Sequence, residues 1–133
     1  MGRRIGIFGA TFDPPHYGHL TAAEFSRTAL KLDEVMMIPA SRNPLKLNHI
    51  PAPDNIRLKM TAAAIEGNPD FTVNDIEIRR GGLSFMADTL KEIKYKLRDD
   101  DRLLLLIGAD TAADFKLWKS PFEIIKLTEL VVF

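Results

Sequence analysis

The sequence predicts an α/β fold: a Rossmann-like, doubly wound parallel sheet with helices on both faces. Three observations carry this. Short apolar runs without polar alternation recur at residues 4–8, 34–38 and 103–107, as strands do when both of their faces are covered. Helical periodicities occupy the intervals between them. Strand and helix therefore alternate, which gives parallel strands joined by right-handed crossovers.

Taken in order, residues 4–8 form the first strand. The helix after it spans 18–32, with Thr21, Phe25, Thr28 and Leu32 at helical spacing beside Leu20 and Ala23. The strand at 34–38 runs into a loop over 39–53 that holds four prolines. Loops of this length are uncommon and often functional. A helix follows over 54–65, with Ile56, Met60 and Ala63 on one side and Asp54 as its N-cap. Residues 71–78 read as a strand whose apolar parity switches between Val73 and Ile76, as a bulge or an edge position allows. Met86, Leu90, Ile93 and Leu97 then mark the clearest amphipathic helix, with Lys91, Lys94, Lys96 and Arg98 largely off the stripe. After the strand at 103–107, residues 108–126 read as short helical pieces broken at Ser120-Pro121, because the residue before a proline resists helix. Residues 130–133 look like the start of one more strand.

Composition narrows the function. A chain of 133 residues argues for one domain, 1–133. Eighteen basic and eighteen acidic side chains balance, so net charge gives no reason to expect a nucleic acid polymer as partner. Cysteine is absent, which excludes disulfides, thiolate metal sites and cysteine nucleophiles. No apolar run approaches the ~20 residues of a membrane helix. The start, Met1-Gly2-Arg3-Arg4, leaves no room for a signal peptide. The expected location is the cytoplasm, with no membrane partner.

Ligands of such sheets sit at the carboxyl ends of the strands, near the switch point. There the segment from Gly6 to His19, Gly-Ile-Phe-Gly-Ala-Thr-Phe-Asp-Pro-Pro-His-Tyr-Gly-His, joins the first strand to the first helix. A glycine turn leading to a helix N-terminus makes an anion site, because unpaired N–H groups and the helix dipole both favour phosphate. The dinucleotide fingerprint GxGxxG and the P-loop GxxxxGK[ST] are both absent. His16 and His19, three apart on the first turn, lie on one side of the helix, and Gly18 between them leaves a gap for a nucleotide. This arrangement suits nucleotidyl transfer. An attacking phosphate is already an anion and needs no general base, so catalysis can come from positioning and from donors to the phosphate oxygens. Two other readings stand beside it: ordinary turn and helix histidines, or a zinc site formed with Asp13.

The segment Gly9-Ala10-Thr11-Phe12-Asp13-Pro14-Pro15-His16-Tyr17-Gly18-His19 resembles the signature of the bacterial nicotinate mononucleotide adenylyltransferases. The HxGH core is shared more widely, with phosphopantetheine adenylyltransferase and glycerol-phosphate cytidylyltransferase. Three later blocks resemble the narrower family: residues 79–90, Ile107-Gly108-Ala109-Asp110, and Leu117-Trp118-Lys119. The resemblance implies adenylyl transfer from ATP to nicotinate mononucleotide, giving nicotinate adenine dinucleotide and pyrophosphate in NAD biosynthesis. It implies that His16 and His19 contact the ATP phosphates and that Lys46 closes over them from its loop. Gly9, Thr11, Phe12, Gly18, Gly108 and Asp110 would complete the ATP site. Thr89 would help hold the nicotinate carboxylate and Trp118 would stack on the pyridine ring, with Asp110 and Lys119 on the acceptor side. Mg²⁺ would accompany ATP. The expected partners are ATP and nicotinate mononucleotide, with a homo-oligomer left open.

Each assignment has a plainer counterpart. Lys46 can be a solvated loop lysine, and Trp118 a core anchor. Asp110 can cap the next helix through N–H groups near Ala112 or Ala113. Thr89 can bond the preceding helical turn, and Arg79-Arg80 can be a solvated strand end. The chain also departs from the family pattern: Phe85 and Met86 replace Tyr and Thr, Leu45 stands where many members have His, and Ala10 replaces Gly. It ends at Phe133, before the family's Ser-Ser/Thr-x-Ile-Arg motif, so a chain lacking the C-terminal segment is expected. Other acceptors, nicotinamide mononucleotide or phosphopantetheine phosphate, and a nucleotide-binding fragment without turnover are the alternative functions.

Overall fold

Parallel pairing is densest at the middle of the sheet, where Ile7 of β1 (Arg4–Ala10) lies between Met36 of β2 (Glu34–Pro39) and Leu105 of β4 (Arg102–Ile107). The computed structural model describes residues 2–133. Among the described residues five strands, all parallel, stand in the order β3-β2-β1-β4-β5, with β3 at Phe71–Val73 and β5 at Glu129–Val132. The chain winds outward from β1 through β2 to β3, then crosses back to place β4 on the other side of β1. The switch point therefore falls between β1 and β4.

Because successive strand residues face opposite ways, the apolar runs feed two cores. Ile5, Ile7, Leu103, Leu105 and Ile107 pack with Leu90 and Ile93 of α4 (Met86–Tyr95) and Ile124 of α6 (Pro121–Leu127). Phe8, Val35, Met37, Leu104 and Leu106 pack with Ala23 of α1 (Tyr17–Leu30) and with Ile65, just beyond α2 (Asp54–Ala64). Both faces are covered, as the unalternated runs required. Full burial of one such side chain is worth ~1.5–3 kcal/mol. Among the described residues no helix is long and apolar enough to cross a membrane.

Several local expectations are corrected. The strand at 71–78 ends at Val73, and Ile76–Arg80 forms a short helix, α3. The parity switch marks a change of element, not a bulge: the Asn74 side chain accepts the Ile76 N–H at 2.9 Å and turns the chain into the helix. On α1 the buried residues are Ala23 and Ser26, whereas Phe25 is 72% exposed; small residues let the helix approach the sheet. On α2 the buried residues are Arg57 and Thr61, not the Ile56, Met60 and Ala63 stripe. Asp54 is the first helical residue and makes no cap bond; its carboxylate instead holds Arg57 and the Ser41 hydroxyl. The region after β4 does break as expected, into α5 (Ala109–Ala113), a 3₁₀ turn at Phe115–Leu117, and α6, which has Pro121 in its first turn.

Candidate active site

The bend between β1 and α1 holds two imidazoles in a reciprocal cap. His16 is the N-cap; its Nδ1 accepts the His19 N–H at 3.3 Å, and His19 Nδ1 accepts the His16 N–H at 3.1 Å. The rings stack with centroids 3.7 Å apart and planes 16° from parallel. Since both Nδ1 atoms accept, each neutral ring carries its proton on Nε2. Both imidazoles thus offer an N–H donor at the head of a helix, where an anion is already favoured. Burial first, and the neighbouring His16 ring second, hold the His19 pKa below the usual imidazole value.

Two residues enforce this geometry. Phe12 is almost wholly buried with φ of 52°, a left-handed conformation that costs a bulky residue roughly 1–3 kcal/mol. Burial of its ring compensates, and it lies T-shaped to the His19 ring with centroids 5.0 Å apart, as Phe8 does with centroids 5.8 Å apart. A Cβ on Gly18 would stand 2.9 Å from Cε1 and Nδ1 of His16. The space expected there for a nucleotide is thus occupied by the His16 ring, and glycine is what lets the ring lie over the helix.

Beside the bend, at the carboxyl ends of the central strands, lies a cavity of about 410 Å³. Of the residues singled out in the sequence, Gly9, Thr11, Lys46, Trp118 and Lys119 line it. A side chain at Gly9 would strike the Met86 methyl at 2.6 Å. Lys46 is exposed, on a loop whose turn is set by Asn43: its side chain accepts the Leu45 N–H at 2.9 Å and its carbonyl accepts the Lys46 N–H at 3.1 Å. Trp118 presents one part to the cavity and packs another on the core beside Phe115, so its expected role as a core anchor does not keep it out of the cleft. The Lys119 ammonium sits 4.7 Å from the centre of the Phe85 ring and 3.9 Å from the Asp88 carboxylate.

The remaining assignments fall elsewhere. Phe12 serves the core with its side chain, not the cavity. Gly108 is the N-cap of α5 and packs near the Phe133 ring; Asp110 is exposed in that helix, makes no cap bond, and does not line the cavity. Thr89 is fully buried and also outside the cavity lining: its hydroxyl lies 2.6 Å from Glu77 Oε2, accepts from Arg80 Nη2 at 2.8 Å, and lies 3.3 Å from the Phe85 carbonyl of the preceding turn. Arg80 is therefore engaged, not merely solvated. Asp13 accepts the Ala52 N–H at 3.0 Å rather than joining the histidines, and among the described residues no group of three or more His, Cys, Asp or Glu is placed to hold a metal ion.

Sequence reasoning missed Glu77, Ser84, Asn43 and Asp114, all cavity-lining. Glu77 escaped notice because it fell in a segment read as strand. It is 3% exposed; burial pushes its carboxyl pKa up, while Thr89, Arg80 and Ser84 pull it back. The Ser84 hydroxyl accepts the Ser41 N–H at 2.9 Å and ties the long loop to the α3–α4 connection.

Fold and site together define an α/β domain with two stacked imidazoles at a helix N-terminus and, at the carboxyl edge of the same sheet, an aromatic-walled cleft. The chain belongs to the cytidylyltransferase-like family, whose profile matches residues 7–133. It is 43% identical over 134 residues to a Clostridium beijerinckii protein and 45% identical over 130 residues to one from Roseiflexus, each named "Probable nicotinate-nucleotide adenylyltransferase". These alignments cover 98% and 96% of the chain but 66% and 63% of the relatives, so the chain spans somewhat less than two thirds of their length. In fold it is similar to the Plasmodium falciparum nicotinic acid mononucleotide adenylyltransferase complexed with NaAD, with a TM-score of 0.78 at 15% identity, covering 98% of this chain and 74% of that one.

Proposed function

We propose that this chain carries the catalytic core of an enzyme that transfers the adenylyl group of ATP to nicotinate mononucleotide, in NAD biosynthesis. The observation that carries the reading is the His16–His19 cap, which leaves both Nε2–H groups free of the cap bonds; the rings themselves do not line the cavity walled by Trp118, which begins at Thr11 of the same bend. The names of relatives at 43% and 45% identity supply the acceptor. A phosphate oxygen of the acceptor attacks the α-phosphorus of ATP, a new P–O bond forms, and the bond to the bridging oxygen breaks as pyrophosphate leaves. His16 and His19 donate to phosphate oxygens as negative charge builds there. Lys46 closes from its loop over the phosphates. Trp118 stacks on the cationic pyridine ring. Gly9 and Thr11 shape the nucleotide side, Gly108 and Asp110 border it near the end of β4, and Lys119 borders the acceptor.

Mg²⁺ would accompany ATP, held chiefly by phosphate oxygens and water; among the described residues no group of three or more His, Cys, Asp or Glu is placed to hold it directly. It would supply charge neutralisation. Residues 1–133 act as one domain in this reading, working in the cytoplasm, where ATP is at hand.

The test is pyrophosphate release from ATP with nicotinate mononucleotide, nicotinamide mononucleotide and phosphopantetheine phosphate as separate acceptors, using folded protein. Release with the first alone is the expected result. Release with another acceptor alone would reassign the substrate. A second reading is nucleotide binding without turnover. Calorimetric ATP binding with no release under any acceptor would establish it.

A further inference from the structure

The side chain of Arg57, on the first turns of α2, is fully buried, and all five of its N–H donors have an acceptor among five different residues. Nε donates to the Ala52 carbonyl at 2.8 Å. Nη1 donates to the carbonyls of Thr11 at 2.8 Å and Ala40 at 2.6 Å. Nη2 donates to the Ser41 carbonyl at 3.3 Å and to Asp54 Oδ1 at 2.5 Å. Thr11 directly follows β1, Ala40 and Ser41 directly follow β2, and Ala52 closes the long loop. Three segments that diverge at the carboxyl edge of the sheet are thereby held by one rigid fork. Thr11 and Ala40 are themselves walls of the cavity, and Thr11 precedes the left-handed Phe12 that leads to His16.

A second ring of bonds depends on the same fork. The Ala52 N–H donates to Asp13, the Ser41 hydroxyl donates to Asp54, and the Ala40 N–H donates to the Ala10 carbonyl. An apolar residue would fill the space but leave four carbonyls and a carboxylate without this partner. A lysine brings only three donors on a point charge and cannot reproduce the planar fork.

We infer that Arg57 is a positioning residue for the transfer reaction: it sets the spacing between the β1 and β2 ends, and with it the approach of the two imidazoles to the substrate phosphates. The inference rests on the adenylyl-transfer reading for its effect on rate, while its effect on the loops can be read without turnover.

The experiment compares wild type with Arg57→Lys by amide hydrogen exchange and by steady-state kinetics below the melting transition. Exchange at the amides of Ala40, Ser41 and Ala52, whose own carbonyls lose the fork while their N–H groups keep other partners, should quicken about tenfold or more as the three segments loosen, with β4 amides unchanged. kcat should fall about tenfold to a hundredfold through misplacement, with KM for ATP altered by about twofold at most. Unchanged exchange at the three amides, or exchange raised equally in β4, would overturn the inference, as would wild-type kcat in the folded variant. Should Arg57→Lys not fold, Asp54→Asn, which loosens one tine of the fork, is judged by the same exchange criterion. A wild-type chain that releases no pyrophosphate defeats the activity reading alone; the exchange comparison still decides Arg57.

Discussion

The hydroxyl of Thr89 lies 2.6 Å from Glu77 Oε2 at the edge of the cavity, and Arg80 reaches the same hydroxyl at 2.8 Å. In this structure the hydroxyl of the residue that resemblance assigns to the nicotinate carboxylate thus bonds a buried acid. Glu77, not Thr89, faces the cleft.

That acid should show in the pH dependence of stability. The folded protein holds the Glu77 pKa above its ordinary value of 4.5, mainly by burial. Its contribution is then fully present below that value and is lost as pH rises through the folded pKa. Glu77→Gln should flatten the corresponding limb of a melting-temperature profile measured from mildly acid to neutral pH. An unchanged limb in the variant would assign the effect to another group.

His19 acts with the opposite sign. Its pKa is lowered from 6.5 in the folded state, so its contribution is intact above that value and is lost as pH falls from there through the folded pKa. Protonation at Nδ1 also removes the acceptor for the His16 N–H. The amide of His16, followed by NMR on acidification, should lose its hydrogen-bonded shift as the His19 ring titrates.

The two functions of His19 can be separated. His19→Asn keeps an acceptor near the Nδ1 position but has nothing at Nε2. It should lower kcat on the order of a hundredfold, the typical loss for one donor to a developing charge. His19→Ala should show the same kinetic loss plus about 1 kcal/mol of lost cap stability. Pyrophosphate release and thermal melting of both variants check this, and near-normal turnover in either removes the histidine from the chemistry.

Trp118 is the only tryptophan in the chain, so its fluorescence reports directly on the cleft. Nicotinate mononucleotide should perturb the emission on binding. Trp118→Ala should raise KM for that acceptor about tenfold, matching a ~1–2 kcal/mol stack on a cationic ring. KM for ATP should stay near its wild-type value.

Lys46 offers a contrast between activity and stability. Its exposed side chain predicts a melting change within about ±0.5 kcal/mol for Lys46→Ala. Turnover should nonetheless fall, and Lys46→Arg should recover part of it. An alanine variant with normal rates at all ATP concentrations would leave the lysine merely solvated.

Much of this protein is written locally. Unalternated runs such as Leu103–Ile107 determine buried parallel strands because a residue's chance of covering on both faces follows from its own hydrophobicity. The HxGH spacing determines that two imidazoles share one side of a first helical turn. Tertiary structure decided what such rules do not see. Arg57 is polar by any local measure, yet it became the most thoroughly buried cation because five acceptors from four chain segments converge on it. Phe25 keeps helical spacing and still faces outward, because the sheet took the small face of α1. Thr89 and Glu77 are twelve residues apart, and only the fold brings them to one hydrogen bond. Periodicity and spacing depend on neighbours along the chain, whereas burial of a charge and the direction of a hydroxyl depend on partners that the closing of the sheet brings together.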